Sequence, residues 1–455
     1  MLNALSKLNC LSRLSVQSGR ARWYRPDDVL RILPGTNRAM VRLASGAVVE
    51  GTIETLIALG YLTYARTGSG WAIDKAGVWR EFTSNAPRIT DAGMTIEPAA
   101  TNLVTNSSAQ GAVLGVLGAG GALPTGWFTS GGTGLTKEVV GIGVEDGIPY
   151  IDVRFWGTNA DNYATVVPSN LSGMVTGTSY ASSIFVTLVG GSTSSLTSRT
   201  LKTRYNLSSG STDINQNLTF APGRLVDNRQ SGVAVTAGTL TGTGQLILVF
   251  NNAPGATIDL TIRVGCPQVE AGLVASSPIM TAGSAAARAA DDFRCPTSWL
   301  LFPENGTLVV EHVPGLSLDT TYPSDAYLFG IDSLGTTRLE LRQRATTAKG
   351  PRAVAANGDG NYSVLSPATG VDAGVACRVV ATYHRSNTSD NRLHVNGAAA
   401  LVHNRTATPD LQAVIGLGQR EDGGFVMTGV VREWGIRSAV LTSADGTTES
   451  ARYAA

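Results

Sequence analysis

The chain has 455 residues, of which 35 are basic and 34 acidic, and charged residues make up only 15 % of the total. Such balanced charge argues against a general nucleic-acid or anionic-membrane surface, and no run of about 18 apolar residues occurs that would span a membrane as a helix. Glycine is abundant, at 53 residues, and Ser, Thr, Ala and Val recur throughout. This is the composition of many short strands joined by tight turns, so a mostly β fold is expected.

The cysteines, Cys10, Cys266, Cys295 and Cys377, are widely spaced and form no CxxC motif. Buried free thiols are the expectation, although Cys266 and Cys295 would pair if the fold brought them together. The histidines (His312, His384, His394 and His403) are scattered, with no HExxH, so no zinc site is expected.

Residues 1–64 read as a first region. Leu2, Leu5, Leu8, Leu11 and Leu14 recur every third residue among basic side chains, which predicts a short helix with leucines around most of its circumference, suited to docking on other chains. Pro26 marks a turn and Asp27 a helix N-cap. A strand pair is expected from Val41 to Val49 around Ser45-Gly46, then a helix from Ile53 to Leu59 opened by Thr52 and closed by Gly60. Together these suggest a small α/β attachment module, with Leu5, Leu8, Leu11, Leu14 and Trp23 as its contact residues.

Residues 65–107 form the most distinctive stretch. Trp71–Asp74, Trp79 to Phe82 and Met94 to Ile96 read as strands, with turns at Gly77 and Gly93. Arg88, Glu97 and Asn102 are expected to be structural, as an internal ion pair and turn hydrogen bonds. Gly111 to Gly126 reads as a loop or linker. Strands are then expected at Tyr150–Phe155, Asn162–Val167, Ser179–Val189, Thr200–Leu207, Gln245–Phe250 and Thr257–Val264, with the spacing of an antiparallel sandwich. After a boundary near residue 292, strands are expected at Gly306–Glu311, Tyr327–Ile331, Leu339–Leu341, Cys377–Tyr383, Val414–Gly418 and Gly429–Ile436. Asn396-Gly397 predicts a two-residue type I′ hairpin, since both positions need positive φ. Strict alternation would put Val431, Glu433 and Gly435 on one face and Arg432, Trp434 and Ile436 on the other. A short final helix is expected after Leu441.

Three of these stretches resemble known families. Asn85-Ala86-Pro87-Arg88, Gly93, Ile96-Glu97-Pro98, Thr101-Asn102-Leu103 and Asn106-Ser107 resemble, in order and spacing, a segment of bacteriophage tail-fibre and minor tail proteins. Residues 262–272 (Gln268-Val269-Glu270-Ala271-Gly272 above all), with Ser276-Ser277-Pro278-Ile279 and Arg288-Ala289-Ala290-Asp291, resemble the closing part of carbohydrate-binding-module-like sandwiches in such proteins. The last third, with Leu393-His394-Val395-Asn396-Gly397, resembles a concanavalin-A-like (laminin-G-like) jelly roll.

The resemblance implies tandem antiparallel β-sandwiches of jelly-roll type behind a small α/β N-terminal region. The expected divisions are 1–64, 65–107, 108–292 and 293–455. It further implies a virion component on the particle exterior: a tail fibre, spike or minor tail protein, or a capsid appendage. Such a chain would hold other virion proteins through residues 1–64, assemble as a homotrimer, and bind host-surface glycan through its C-terminal β domains, with no nucleic-acid partner and no membrane insertion. The alternatives are a ligand-free virion decoration or head spike, and a glycan-depolymerising spike.

Glycan sites stack sugar rings on aromatics and bind hydroxyls through polar side chains. The candidates are Trp127, Trp156, Tyr322, Asp325, Tyr327, Tyr383, Arg385, Asn387 and Asp390, although aromatics are only 6 % of the chain and usually serve the core. Depolymerisation would need two carboxylates across a cleft. Glu145, Asp146, Asp152, Asp161, Asp325, Asp390 and Glu433 could supply them, but none sits in a catalytic motif and no GxSxG occurs, so a non-enzyme is expected. No cofactor is expected either. Calcium alone is conceivable, since related jelly rolls hold it, and Asp359, Asp390 and Asp422 are its candidate ligands.

Overall fold

The computed structural model describes residues 22–235, 239–315, 326–332, 337–343, 351–357, 362–365, 371, 374–384, 391–403, 413–420 and 422–452. The expected leucine helix, including Leu5, Leu8, Leu11 and Leu14, lies outside them, as do Cys10, Tyr322, Asp325, Asp359, Arg385, Asn387 and Asp390. The fold is mostly β, built from antiparallel sheets with two short α-helices among the described residues.

The chain divides into two compact units, and the division departs from the four sequential parts expected. One unit comprises residues up to Thr67, Ser84–Pro98 and Ala290 onward; the other comprises Gly68–Thr83 and Ala99–Ala289. The second unit ends at Ala289 and the first resumes at Ala290. The expected separate module over 1–64 and separate segment over 65–107 do not occur.

In the first unit, the strand Asp28–Leu33 pairs with the late strand Gly429–Arg437, Leu30 opposite Ile436 and Ile32 opposite Trp434. It belongs to a ten-stranded sheet that runs from Val48–Gly51 through Arg38–Arg42, Asp28–Leu33, Gly429–Arg437, Asn305–Pro314, Cys377–His384 and Asn391–Val395 to Leu401–His403. The short hairpin Ile89–Thr90/Gly93–Ile96 joins the sheet through Gly429–Val431. A seven-stranded sheet includes Ala326–Asp332, Val414–Leu417, Asp292–Pro296 and Thr63–Ala65. The two sheets share a core: Phe293 packs 5.5 Å from Trp434, ring centre to ring centre, and Trp434 Nε1 donates to the Leu328 carbonyl at 3.1 Å.

Local expectations fare well here. The Ser45-Gly46 hairpin forms, with Val41 opposite Val49, and Thr52 caps the helix Ile53–Ala58 by accepting from the Thr55 amide. Asn396 and Gly397 have φ of 49° and 77°, as a type I′ turn requires. Thr442 caps the final helix, Ser443–Ser450. Asp27 caps nothing, because the residues after it form a strand; instead the Asp28 carboxylate accepts from the Arg25 amide at 2.7 Å. The face assignment around Glu433 also changes. Glu311 stands opposite Glu433 but His312 opposite Val431, so Arg432 is the extra residue of a β-bulge. A bulge interrupts the two-residue alternation. Arg432 therefore joins Glu433 on the charged face, its Nη1 3.6 Å from Glu311.

Two buried charge clusters organise this unit. In the first, Arg88 pairs with Glu97 at 2.7 Å and with Asp291, and Asp291 also receives Arg66 at 3.3 Å and the Tyr64 hydroxyl at 2.5 Å. The backbones of Glu97 and Asp291 clamp each other: the Glu97 amide donates to the Asp291 carboxylate at 2.8 Å, and the Asp291 amide to the Glu97 carbonyl at 3.0 Å. The Arg88–Glu97 ion pair is thus formed as expected. In the second cluster, Arg378 bridges Glu311 (3.1 Å), Glu433 (2.7 Å) and Glu449 (2.6 Å), and Arg437 joins Glu449 to Asp28. Burial pushes the Glu311 and Asp28 carboxyls up, only partly offset by their arginines. Burial also acts to raise Glu449, but its bonds from Arg437 and Arg378 overcome this and hold it at about 2.

The second unit is a sandwich of a six-stranded sheet and a five-stranded sheet. The first contains Leu135–Glu145, Ile148–Asn159, Ala256–Ala271, Ser179–Gly191 and Arg229–Val235, with the short Gly115–Val116 at its edge. The second runs Phe128–Gly131, Tyr163–Ser172, Leu240–Asn252, Leu196–Leu207 and Gly210–Asn217. Alternate residues meet between them: Ile151, Val153, Phe155, Ile262 and Val264 from one sheet, Ala164, Val166, Leu201, Leu246, Leu248 and Phe250 from the other. All six strands expected here lie within observed ones, apart from Asn162, which precedes its strand by one residue.

Asn102 is the buried fastener of this unit. Its amide donates to the carbonyls of Pro267 (3.3 Å) and Ile279 (2.9 Å), while its oxygen accepts from the amides of Val104 (3.0 Å) and Val269 (3.1 Å). Gln268 accepts from the Ile279 amide at 2.8 Å and Arg288 donates to Ser277 at 2.7 Å, so the motif over residues 262–291 is wired to the same point. Cys266, Cys295 and Cys377 are buried free thiols, as expected, and burial raises the thiols of Cys266 and Cys377 to about 12.

These clusters set two stability outcomes. Arg88→Met leaves two buried carboxylates short of a cation and should destabilise its unit by about 3–5 kcal/mol; a denaturant titration showing a loss under about 1 kcal/mol would contradict the cluster's importance. Glu449 has its folded pKa near 2, below the ordinary 4.5, so its contribution is complete above pH 4.5 and is lost as pH falls through about 2. Glu311 and Asp28, shifted upward, act in the opposite sense, their protonation favouring the fold as pH falls. Glu449→Gln should therefore lower the thermal midpoint at pH 7 and flatten its decline between pH 4.5 and 2.

Candidate functional site

The outer face of the five-stranded sheet carries the site. Alternation along its strands sets the lining, with one irregularity between Val166 and Ser169. On Leu240–Asn252, Leu246, Leu248 and Phe250 enter the core, so Gln245, Ile247, Val249 and Asn251 face outward. On Tyr163–Ser172 the outward residues are Tyr163, Thr165 and Val167; on Leu196–Leu207 they include Lys202 and Arg204; on Phe128–Gly131 they are Phe128 and Ser130. These outward residues line a groove of about 510 Å³ together with Asn162.

The floor is apolar. Val167, Ile247 and Val249 form a small cluster with Phe128, separate from the sandwich core, and are 2 %, 5 % and 6 % exposed. From Gln245 to Asn251 the strand spans six steps, roughly 20 Å at ~3.4 Å per residue, with Ile247 and Val249 at the centre and polar residues at both ends. The rim is polar. Gln245 Nε2 donates to Asn170 at 2.9 Å, Asn251 Nδ2 to Ser198 at 2.7 Å, and Thr165 exchanges hydrogen bonds with the Ser130 backbone. Tyr163, 37 % exposed, is the accessible aromatic ring of the groove.

Both charged residues of the lining are cations. Arg204 lies opposite Asp213 in register and holds it with Nε at 2.7 Å and Nη2 at 2.9 Å, while Lys202 Nζ reaches the same carboxylate at 2.9 Å. The Arg204 hydrogen bond, helped by Lys202, lowers the Asp213 carboxyl. The same bond to Asp213 raises the Arg204 guanidinium, with Tyr163 acting in the same direction. No Asp or Glu lines the groove among the described residues. A groove of this kind can stack and cover a ring, hydrogen-bond hydroxyls and attract an anion; its lining lacks the carboxylate pair that glycoside hydrolysis requires.

The residues singled out in the sequence are placed elsewhere. Trp127 is buried, its Nε1 donating to the Asn106 carbonyl at 3.0 Å. Tyr327 is buried beside Phe425 and under Arg342. Tyr383 is buried, stacked on Phe302, with its hydroxyl donating to the Pro303 carbonyl. All three are core residues rather than platforms, because large aromatics contribute most when fully desolvated. Trp156 is half-buried, alternating with the core residue Phe155 on the six-stranded sheet, and Arg154 lies 4.8 Å from its ring centre. Trp23 donates to Glu50 at 3.0 Å.

The carboxylates are similarly occupied. Glu145 and Asp152 share Arg263. Asp146 pairs with Arg224 at 2.6 Å, Asp161 accepts from Thr133, and Glu433 lies in the buried cluster around Arg378. Asp422, a calcium candidate, accepts from Arg420 at 2.7 Å and from the Gly424 amide at 2.9 Å. Among the described residues no group of three His, Cys, Asp or Glu side chains is arranged to hold a metal ion. Sequence reasoning missed the groove, whose signal was the set of outward residues at every second position of four strands.

No family model matches this chain, and no curated protein matches it. Some solved structures are similar to part of it. The Ruminococcus gnavus IT-sialidase CBM40 bound to α2,3-sialyllactose is 20 % identical over 32 % of this chain and 83 % of its own, with a TM-score of 0.26. Domain 4 of AbnA, a GH43 extracellular arabinanase from Geobacillus stearothermophilus in complex with arabinotriose, is 12 % identical over 35 % and 73 %, at 0.28. The botulinum neurotoxin serotype D binding domain is 15 % identical over 35 % and 40 %, at 0.26. Scores of this size carry no argument about this chain.

The contrast between groove and core is measurable. Tyr163→Ala should leave unfolding free energy within about 0.5 kcal/mol of the parent, as an exposed substitution does. Trp127→Ala should cost about 3–5 kcal/mol. Equal losses in chemical denaturation would contradict these placements.

Proposed function

We propose that this chain is a non-catalytic component of a bacteriophage particle exterior, a tail fibre, spike or minor tail protein, that binds host-surface glycan in the groove on its five-stranded sheet. The observation that carries the binding half is the groove itself: an apolar centre of Val167, Ile247 and Val249 beside Phe128, an exposed tyrosine, and amide and hydroxyl groups along the rim. Sugars present apolar ring faces beside hydroxyls, and this lining offers a partner to each. The virion half rests on the resemblance carried by residues 85–107 and 262–291. Attachment to other virion proteins through the N-terminal residues and assembly as a homotrimer belong to the same reading.

The lack of carboxylates in the described groove lining supports binding rather than cleavage. The groove also moves the proposed binding surface from the C-terminal jelly roll to the sandwich before it.

The test is a glycan array of host-surface polysaccharides probed with the full chain. Parent protein should bind, and Tyr163→Ala with Asn251→Ala should weaken binding at least about tenfold, the equivalent of ~1.4 kcal/mol. No binding, or binding that ignores both substitutions, overturns the ligand reading. Immunogold labelling of particles from a lysate checks the location, and label absent from the particle exterior overturns the virion reading.

A further inference from the structure

We infer that the groove selects acidic saccharides, seating a sugar carboxylate at Lys202 and Arg204; this rests on the proposed glycan-binding reading and names the ligand class of that site.

The argument is one of charge and donor capacity. Lys202 and Arg204 bring two positive charges to the groove, and one carboxylate, Asp213, answers both. The described lining contains no acid, so one positive charge is left over. The donors are not exhausted either. An ammonium has three N–H groups and a guanidinium five. Asp213 takes one from Lys202 and two from Arg204, through Nε and Nη2, which leaves both Nη1 protons and the second Nη2 proton of Arg204 and two protons of Lys202 without a bond among the described residues.

Both cations are partly exposed, Lys202 at 21 % and Arg204 at 35 %, so an incoming ligand reaches them. Asp213 orients the pair by gripping Arg204 on one edge, which leaves its other edge to present to a second carboxylate. Arginine's planar fork suits a carboxylate. The neighbouring floor of Val167, Ile247 and Val249 lowers the local dielectric and strengthens such a contact. A neutral sugar could still lie on the floor and Tyr163, but it would leave the extra cation unanswered.

Other anions share part of this chemistry, so the test separates them. Full-length protein is titrated with polygalacturonate, hyaluronan and polysialate, each beside its carboxyl-reduced neutral counterpart, and with dextran sulfate at the same charge density. At least one carboxylated polymer should bind tenfold or more tightly than its reduced form and than dextran sulfate. Lys202→Gln with Arg204→Gln should erase that preference, with an unchanged thermal midpoint confirming the fold.

If neutral and acidic forms bind alike and Tyr163→Ala weakens both, the glycan reading stands and this inference falls. If nothing binds, both fall. Equal or tighter binding of dextran sulfate overturns the inference in favour of general anion attraction.

Discussion

Asp291 must find Arg88 across 203 residues of chain. The contact is fully buried, and so is the rest of the cluster: Arg66 and Asp291 have no side-chain exposure, and Glu97 very little. Desolvated charges tolerate no vacancy, because a missing partner strands its counterpart in a low dielectric. Asp291 is therefore required to return to the place where Glu97 left, and the reciprocal backbone bonds between those two residues close the chain there. Between these points lies nearly all of the second unit. The cluster thus marks the two ends of an insertion: residues 99–289 fold as a sandwich of their own, while the host unit resumes at Ala290.

The insertion reinterprets the motifs. Asn85-Ala86-Pro87-Arg88, Ile96-Glu97-Pro98 and Asp291 supply the ion cluster of the host unit. Asn102, Asn106-Ser107, Gln268 and Arg288 supply the internal fastener of the inserted one. One continuous stretch of sequence carries both because it is where the chain passes from one hydrogen-bonding system to the other. The charged and amide groups of both sets are buried, and the constraint on them is architectural.

Local rules therefore read well and long-range ones did not. Asn396-Gly397, Thr52, Gly60 and Gly77 act through a few neighbouring bonds, and each behaves as its chemistry dictates. Arg88 with Glu97 lies nine residues apart, within reach of a hairpin. The pairing of Asp28–Leu33 with Gly429–Arg437 has no such local trace, because backbone hydrogen bonds carry no address. The bulge at Arg432 is invisible for a related reason: one extra residue shifts the faces of a strand without altering its composition. The aromatic candidates failed through competition, since Trp127, Tyr327 and Tyr383 each gain more from burial than from exposure.

The groove shows what alternation alone could have revealed. A sandwich strand with one face in solvent normally places polar residues outward. On Leu240–Asn252 the outward sequence is Gln245, Ile247, Val249, Asn251, polar only at its ends. Ile247 and Val249 are buried not in the sandwich core but in a separate cluster with Val167 and Phe128. Beside them Arg204 and Lys202 converge on a single carboxylate, although solvent would have allowed each its own acid. A sheet that needed only solubility would distribute its polar groups evenly; this one concentrates apolar area in the middle and unbalanced charge along one side. That uneven distribution is what supports the proposed binding face, and it stands on a sheet whose inner residues, among them Leu246, Leu248 and Phe250, are anchored in the sandwich core.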